Sequence, residues 1–220
     1  MVLDENEQIR AKLERYPDAK LGFVVYRCAY KDDAEWNQFM EYLNTHTRHN
    51  LESGGIGDLY SRLDWNVQQD LSLDGASKKK VREEFRKWIN EEHEINLGMP
   101  RHRACVMADQ DSVESVVKDP MPPEEHDMFG VKWVRLISRY DEDPESDDDE
   151  ELELFDPSRP LDEQRGDDEE EEDVETPPPP KDEVSSTRVG LSYLVPRVYS
   201  LLEAPGWHSF ARKDGRAARP

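Results

Sequence analysis

The chain has 220 residues, with 51 acidic side chains against 29 basic ones and a net charge of −22. Residues 141–187 hold 23 Asp and Glu against Arg159, Arg165 and Lys181, a net of −20, whereas the other 173 residues carry 28 acids and 26 bases. This excludes a uniformly acidic protein, and no window approaches the ~18–20 consecutive apolar residues that cross a bilayer.

The first residues, MVLDENEQIR, mix charges without an apolar run and do not read as a secretory signal. Cys28 and Cys105 sit in apolar runs, as small buried hydrophobes of a reducing compartment do. The cytoplasm or nucleus is the expected location. Outside the acidic stretch enough chain remains for one sizeable core.

Ile9, Leu13 and Tyr16 among charges predict a short amphipathic helix over 4–16, ended by Pro17. Gly22–Tyr30 is the clearest strand, rich in β-branched and aromatic residues. Asp32 or Asp33 can cap a helix carrying Trp36, Phe39, Met40 and Leu43 on one stripe, fading over Thr45–Asn50. Leu59–Val67 alternates as a half-buried strand. Asp74-Gly75 marks a turn, and Ser77 can cap a long helix with Val81, Phe85, Trp88 and Ile89 facing inward. Its first turn, Lys78-Lys79-Lys80, opposes the helix dipole.

Arg103–Asp109 reads as a third strand. Asp111 and Glu114 have capping-box spacing before a short helix with Val113, Val116 and Val117. Val131–Arg139 reads as a fourth strand. Residues 141–187 carry too little apolar surface to offset an ordering entropy of ~1–2 kcal/mol per residue. Order returns near Val189, with a helix over roughly 196–204 and Trp207 and Phe210 folding back.

The expected organisation is an α+β domain over 1–140, an acidic disordered insertion over 141–187, a C-terminal helical segment over 188–211 packing back on the domain, and a basic tail over 212–220. The expected fold is a ferredoxin-like variant or an α+β-barrel-like sheet of about four strands with helices on one face.

No strong catalytic signature is present. His46 and His49 with Glu41 could be drawn as metal ligands, but no further ligand is fixed, and a solvated helix end accounts for them. Cys105 with His102 fails as a thiol site because residues three apart at a strand start point to opposite faces. No cofactor or metal is called for. Arg27, Tyr60, Arg62, Asp64 and Trp65 would supply anchors and stacking surfaces if the sheet face or a barrel interior bound a ligand. The competing reading is an amphipathic sheet with snorkelling arginines.

Nucleic-acid binding is disfavoured, because 23 nearby carboxylates would compete with phosphate for the basic patches at Lys78–Lys80 and at the C-terminal Arg212, Lys213, Arg216 and Arg219. The acidic insertion suits a basic protein partner, a contact with those patches of its own chain, or simple solubilisation. Within it Glu151-Leu152-Glu153-Leu154-Phe155 has the composition of a docking motif, and Ser146 before four acids fits an acid-directed kinase.

The blocks Gly22–Tyr30, Asp32–Trp36, Leu63–Trp65, Leu73–Ser77, Val81-Arg82, Ala104–Asp109, Val113–Val117 and Lys132–Tyr140 resemble a group of uncharacterised proteins from filamentous fungi. The resemblance covers roughly 20–140, with a weaker echo at 189–210, and implies no activity and no catalytic residue. Two functions stand open: a non-enzymatic protein that works through protein contacts of its acidic insertion, and a small-ligand-binding or enzymatic α+β-barrel-like domain.

Overall fold

The computed structural model describes residues 4–91, 99–119, 121–140 and 185–220. The expected disorder of the acidic insertion falls on 141–184, outside the described residues. In chain order the elements are α1 (Glu5–Arg15), β1 (Val24–Arg27), α2 (Asp33–Ser53), β2 (Asn66–Gln68), α3 (Lys78–Glu91), β3 (Ala104–Ala108), α4 (Gln110–Val117), β4 (Trp133–Ser138) and β5 (Ser186–Gly190). Helical turns α5 (Leu191–Tyr193) and α6 (Tyr199–Leu201) and a short strand β6 (Ala217–Ala218) complete it.

Caps fix where the helices begin. Asp4 and Glu7 form a reciprocal capping box at α1. Asp32 accepts the Ala34 N–H at 2.7 Å at α2, and Asp109 accepts the Ser112 N–H at 2.9 Å at α4. The last of these replaces the expected Asp111 box. Asp109 ends its strand and so has the extended backbone that a cap needs.

The six strands form one mixed sheet in the order β2-β1-β3-β4-β5-β6. β1 runs parallel to β2 and β3, β4 is antiparallel to β3 and β5, and β6 is parallel to β5. Both β1–α2–β2 and β2–α3–β3 link parallel strands, but β2 and β3 flank β1 on opposite sides. Right-handed crossovers therefore send α2 and α3 to opposite faces. Alternate strand residues record this. Phe23, Val25, Val106, Val134 and Leu136 join the core shared with α1, α2, α4 and the C-terminal turns. Val24, Tyr26, Cys28, Cys105, Met107 and Ile137 join a second core with Val81, Phe85 and Ile89 of α3. Phe39 and Phe85 are wholly buried, each contributing about 1.5–3 kcal/mol by removal from water.

Helices with a mixed sheet bear out the α+β content. The arrangement differs from a four-stranded sheet with helices on one face: it has six strands and helices on both. Among the described residues the sheet is also open, with β2 and β6 as its edges and no barrel closure. Leu59–Val67 is not one strand, because Gly57–Arg62 forms a 3₁₀ helix and only Asn66–Gln68 pairs with β1. Leu59 and Leu63 lie four apart, a spacing that serves a helical turn as well as alternation. α2 continues to Ser53 instead of fading at Thr45. Leu51, wholly buried, extends its core stripe.

The C-terminal segment differs most from expectation. It enters the sheet as β5 from Ser186, so that the last two residues of the expected insertion belong to the strand. Its basic tail pairs as β6, with Arg188 opposite Ala217 and Val189 opposite Ala218. Trp207 and Phe210 do fold back, buried and edge-to-face at 5.4 Å. Among the described residues no helix is long and apolar enough to cross a membrane.

Candidate functional site

β4 and β5 are adjacent antiparallel strands, with Ile137 opposite Ser186 and the Ser138 N–H bonded to the Ser185 carbonyl at 2.9 Å. The whole acidic stretch is therefore the connection of a β-hairpin. Its two ends leave the sheet side by side.

α3 holds those ends. Arg82 lies one residue from Val81 and three from Phe85, which turns it toward the sheet, where it is 2% exposed. Its Nε donates to the Ser138 carbonyl at 3.1 Å, and one terminal nitrogen donates to the Ser185 carbonyl at 3.4 Å and to the Ser185 hydroxyl. One turn on, Arg86 Nε donates to the Arg139 carbonyl at 2.8 Å. Two cationic side chains thus add charge-assisted bonds to the carbonyls at both strand ends.

The residues expected to anchor a ligand do not converge. Leu21, near the start of β1, bridges Leu63, whereas Arg27 ends β1, six residues and about 20 Å along an extended chain. Arg27 is 5% exposed, donates to the Ala29 carbonyl at 3.0 Å and pairs with Asp33. Its guanidinium lies over the Tyr30 and Trp36 rings at 4.4 and 5.0 Å. At the other end Arg62 donates to the carbonyls of Tyr16 and Ala19, and Asp64 pairs with Arg101 at 2.9 Å. Tyr60 lies under Arg48 at 4.2 Å, and Trp65 stacks on Phe23 at 6.4 Å with its indole N–H buried and without a hydrogen-bond partner among the described residues. Four of the five side chains are occupied in joining elements of the fold.

A different cavity, of about 380 Å³, opens at the carboxyl ends of β1 and β2 against α3. Tyr26 is among its lining residues, with Gln68, Asp70, Glu84, Lys87 and Trp88. Tyr26 is 2% exposed, and its hydroxyl has no hydrogen-bond partner among the described residues. Burial raises its pKa, so it remains a neutral phenol. The strand pattern marked Tyr26 as inward-facing, but nothing local shows that its hydroxyl lacks a partner.

The structure also pairs His46 with Ser192. The Pro123 carbonyl, 2.5 Å from His46 Nδ1, can only accept, so Nδ1 carries the proton and Nε2 accepts from the Ser192 hydroxyl at 3.1 Å. Nucleophilic catalysis uses this arrangement of hydroxyl, base and orienting group. Here, however, His46 is 2% and Ser192 7% exposed, and the Asp127 N–H donates to the same hydroxyl oxygen at 2.8 Å. The group is a saturated core network joining α2, α5 and the 121–132 loop. Lys132 extends it, donating to the Val116 and Asp119 carbonyls at 2.5 and 2.8 Å.

His49 meets the Ser53 hydroxyl at 3.4 Å, and no group of three His, Cys, Asp or Glu among the described residues is placed to hold a metal. Cys28 and Cys105 are free and buried. Burial pushes the Cys28 thiol up to about 12 and the Cys105 thiol well above its ordinary value. Neither supplies a thiolate near neutral pH.

No protein-family profile, curated protein or solved structure matches this chain.

Proposed function

We propose that this protein works through protein contacts in the cytoplasm or nucleus, without catalysis of its own. Its folded body holds the acidic stretch as a single β4–β5 connection that a basic protein partner reads by charge. The observation that carries this reading is the pair of bonds from Arg82 to Ser138 and Ser185. A rigid, charge-balanced body anchors both ends of a segment bearing nearly all the net charge. A long connection costs little in closure entropy, which grows only logarithmically with length. Opposite charge would speed encounter and make affinity depend on salt.

The test is calorimetric titration of a lysine-rich peptide into the full chain, and into a full-length variant with the acids of 167–173 changed to Asn and Gln. The reading expects weaker binding to the variant and a steep loss of affinity between 50 and about 200 mM salt. Equal affinity for both proteins rejects it.

A second reading, a small-ligand site, rests on the unpartnered Tyr26 hydroxyl at the Asp70–Glu84–Trp88 cavity. Crevices beyond the carboxyl ends of parallel strands commonly hold ligands. Native mass spectrometry of the purified chain and of Tyr26→Phe tests it. A co-purifying mass present in the first and lost in the second supports the site, and its absence from both removes the reading.

A further inference from the structure

α3 covers the sheet over β1, β3 and the end of β4, and among the described residues no helix covers the same face over the rest of β4, β5 and β6. Strand alternation puts Trp133, Arg135, Arg188 and Ala217 on that face, since Arg135 pairs with Arg188 and Arg188 with Ala217. A cavity of about 380 Å³ opens there, with Trp133, Arg188, Arg216 and Arg219 lining it beside Phe129 and Val131.

The surface joins two features rarely left in water together. Phe129 is 76%, Met128 65% and Val131 47% exposed, half of the exposed large hydrophobic side chains among the described residues. Around them stand cations that make no direct ion pair among the described residues. Arg188 lies over the Trp133 ring at 4.2 Å, and Arg219 donates to the Met128 carbonyl at 3.1 Å. Among the described residues the Arg216 side chain makes no direct hydrogen bond or ion pair, although its charge helps hold the nearby Asp214 carboxyl below its ordinary value. Arg135, by contrast, is satisfied by Asp109 at 2.7 Å. Solvated arginines cost nothing, but exposed aromatic and aliphatic groups ringed by arginines have the chemistry of a peptide-docking surface.

We propose that this face binds residues Glu151–Phe155 of the same chain. Their alternation, Glu-Leu-Glu-Leu-Phe, complements it. Leu152 and Leu154 fall on one side of an extended segment and suit Trp133, Phe129 and Val131, while the Glu151 and Glu153 carboxylates suit the arginines at the rim. The chain can reach. The face begins at the far end of β4, about 20 Å from Ser138. Ten residues separate Tyr140 from Glu151, an extended span of about 35 Å, and twenty-nine return from Phe155 to Ser185. Tethering gives the segment an effective concentration on the order of 1 mM, so even weak intrinsic affinity keeps the face occupied. The inference is independent of any basic partner, because it concerns an apolar–acidic pentapeptide rather than the polyanion as a whole.

The test uses the full-length chain and a fluorescent peptide with the sequence of residues 149–157. The first variant, Leu152→Ser/Leu154→Ser/Phe155→Ser, keeps every charge and leaves the folded body unaltered. The second adds Arg188→Gln/Arg216→Gln, with its fold checked by circular dichroism and urea unfolding. Fluorescence anisotropy is expected to show the peptide binding the triple-serine variant at least tenfold more tightly than the unaltered chain, and the arginine substitutions to remove that binding. Absence of binding to the triple-serine variant overturns the docking surface. Equal, measurable binding to that variant and to the unaltered chain overturns occupancy by the chain's own segment, assigning the face to an acidic–apolar peptide of another protein. If the arginine substitutions misfold the body, Arg216→Gln/Arg219→Gln gives the same readout on exposed side chains.

Discussion

Arg82 and Ser185 stand 103 residues apart in the chain, yet one guanidinium nitrogen of Arg82 bonds both the carbonyl and the hydroxyl of the serine. The same side chain reaches Ser138, so a helix on one face of the sheet secures the two strand ends between which the acidic stretch departs. The clamp makes the body and the acidic connection separable in physical terms.

Removal of the clamp should therefore be felt as lost stability. Arg82→Met keeps the apolar stem and deletes the donors, leaving the Ser138 and Ser185 carbonyls short of partners. Charge-assisted bonds of this kind are worth about 1.5–3 kcal/mol. Urea unfolding should show a loss of that order, with faster amide exchange at Ser138 as a local signature.

Stability should also fall in mild acid. Burial lowers the His46 pKa below its ordinary 6.5, outweighing the Pro123 bond that raises it. The native state then binds fewer protons than the unfolded chain once pH drops through about 6.5. The stabilisation is complete above that pH and declines as pH falls toward the depressed native value. Urea midpoints between pH 7.5 and 5.5 should decrease for the natural chain and change less for His46→Gln.

Two glycines should respond differently to alanine. Gly22 has φ +102°, and a Cβ there would lie 2.8 Å from the Asp64 carbonyl oxygen. Gly75 has φ +63° with nothing within 4 Å of the added atom. Both substitutions incur backbone strain of about 1–3 kcal/mol, but only Gly22→Ala adds a collision with main chain that cannot step aside. Thermal unfolding should rank Gly22→Ala well below Gly75→Ala.

Asp109 acts twice, capping α4 through Ser112 and pairing with Arg135 at 2.7 Å. Asp109→Asn keeps a capping oxygen and loses the charge, whereas Asp109→Ala loses both. The alanine variant should be less stable than the asparagine variant by about 1 kcal/mol, the ordinary worth of a cap. Equal losses in denaturant titrations would assign the whole effect to the ion pair.

Local pattern was enough where one residue stripe had one reading. β1, β3, β4 and the inward faces of α1, α2 and α3 follow from Val24–Arg27, Ala104–Ala108 and the Phe39 and Phe85 stripes. Their arrangement was not legible, because periodicity cannot say that α2 and α3 take opposite faces; the parallel crossovers through β1 decide it. β5 was hidden because Ser185, Ser186 and Thr187 continue the polarity of the acidic run and become buried only against Arg82 and β4. β6 was hidden for a similar reason, as Ala217 and Ala218 between arginines form a strand through backbone pairing with Arg188 and Val189. Among the candidate anchors, Arg27 and Asp64 were near in sequence pattern but lie at opposite ends of a parallel strand pair. Tyr26 faced inward as expected, while its missing partner depends on α3 and β2 together.

The most direct measurement is urea unfolding of a chain in which residues 141–184 are replaced by a six-residue Gly-Ser linker. The account predicts a cooperatively folded body, more stable by about 1–2 kcal/mol because the closed loop is shorter, with Trp207 fluorescence unchanged in the native state. A chain that fails to fold, or unfolds without cooperativity, would contradict it, since the acidic stretch would then be part of the structure and not a connection held by it.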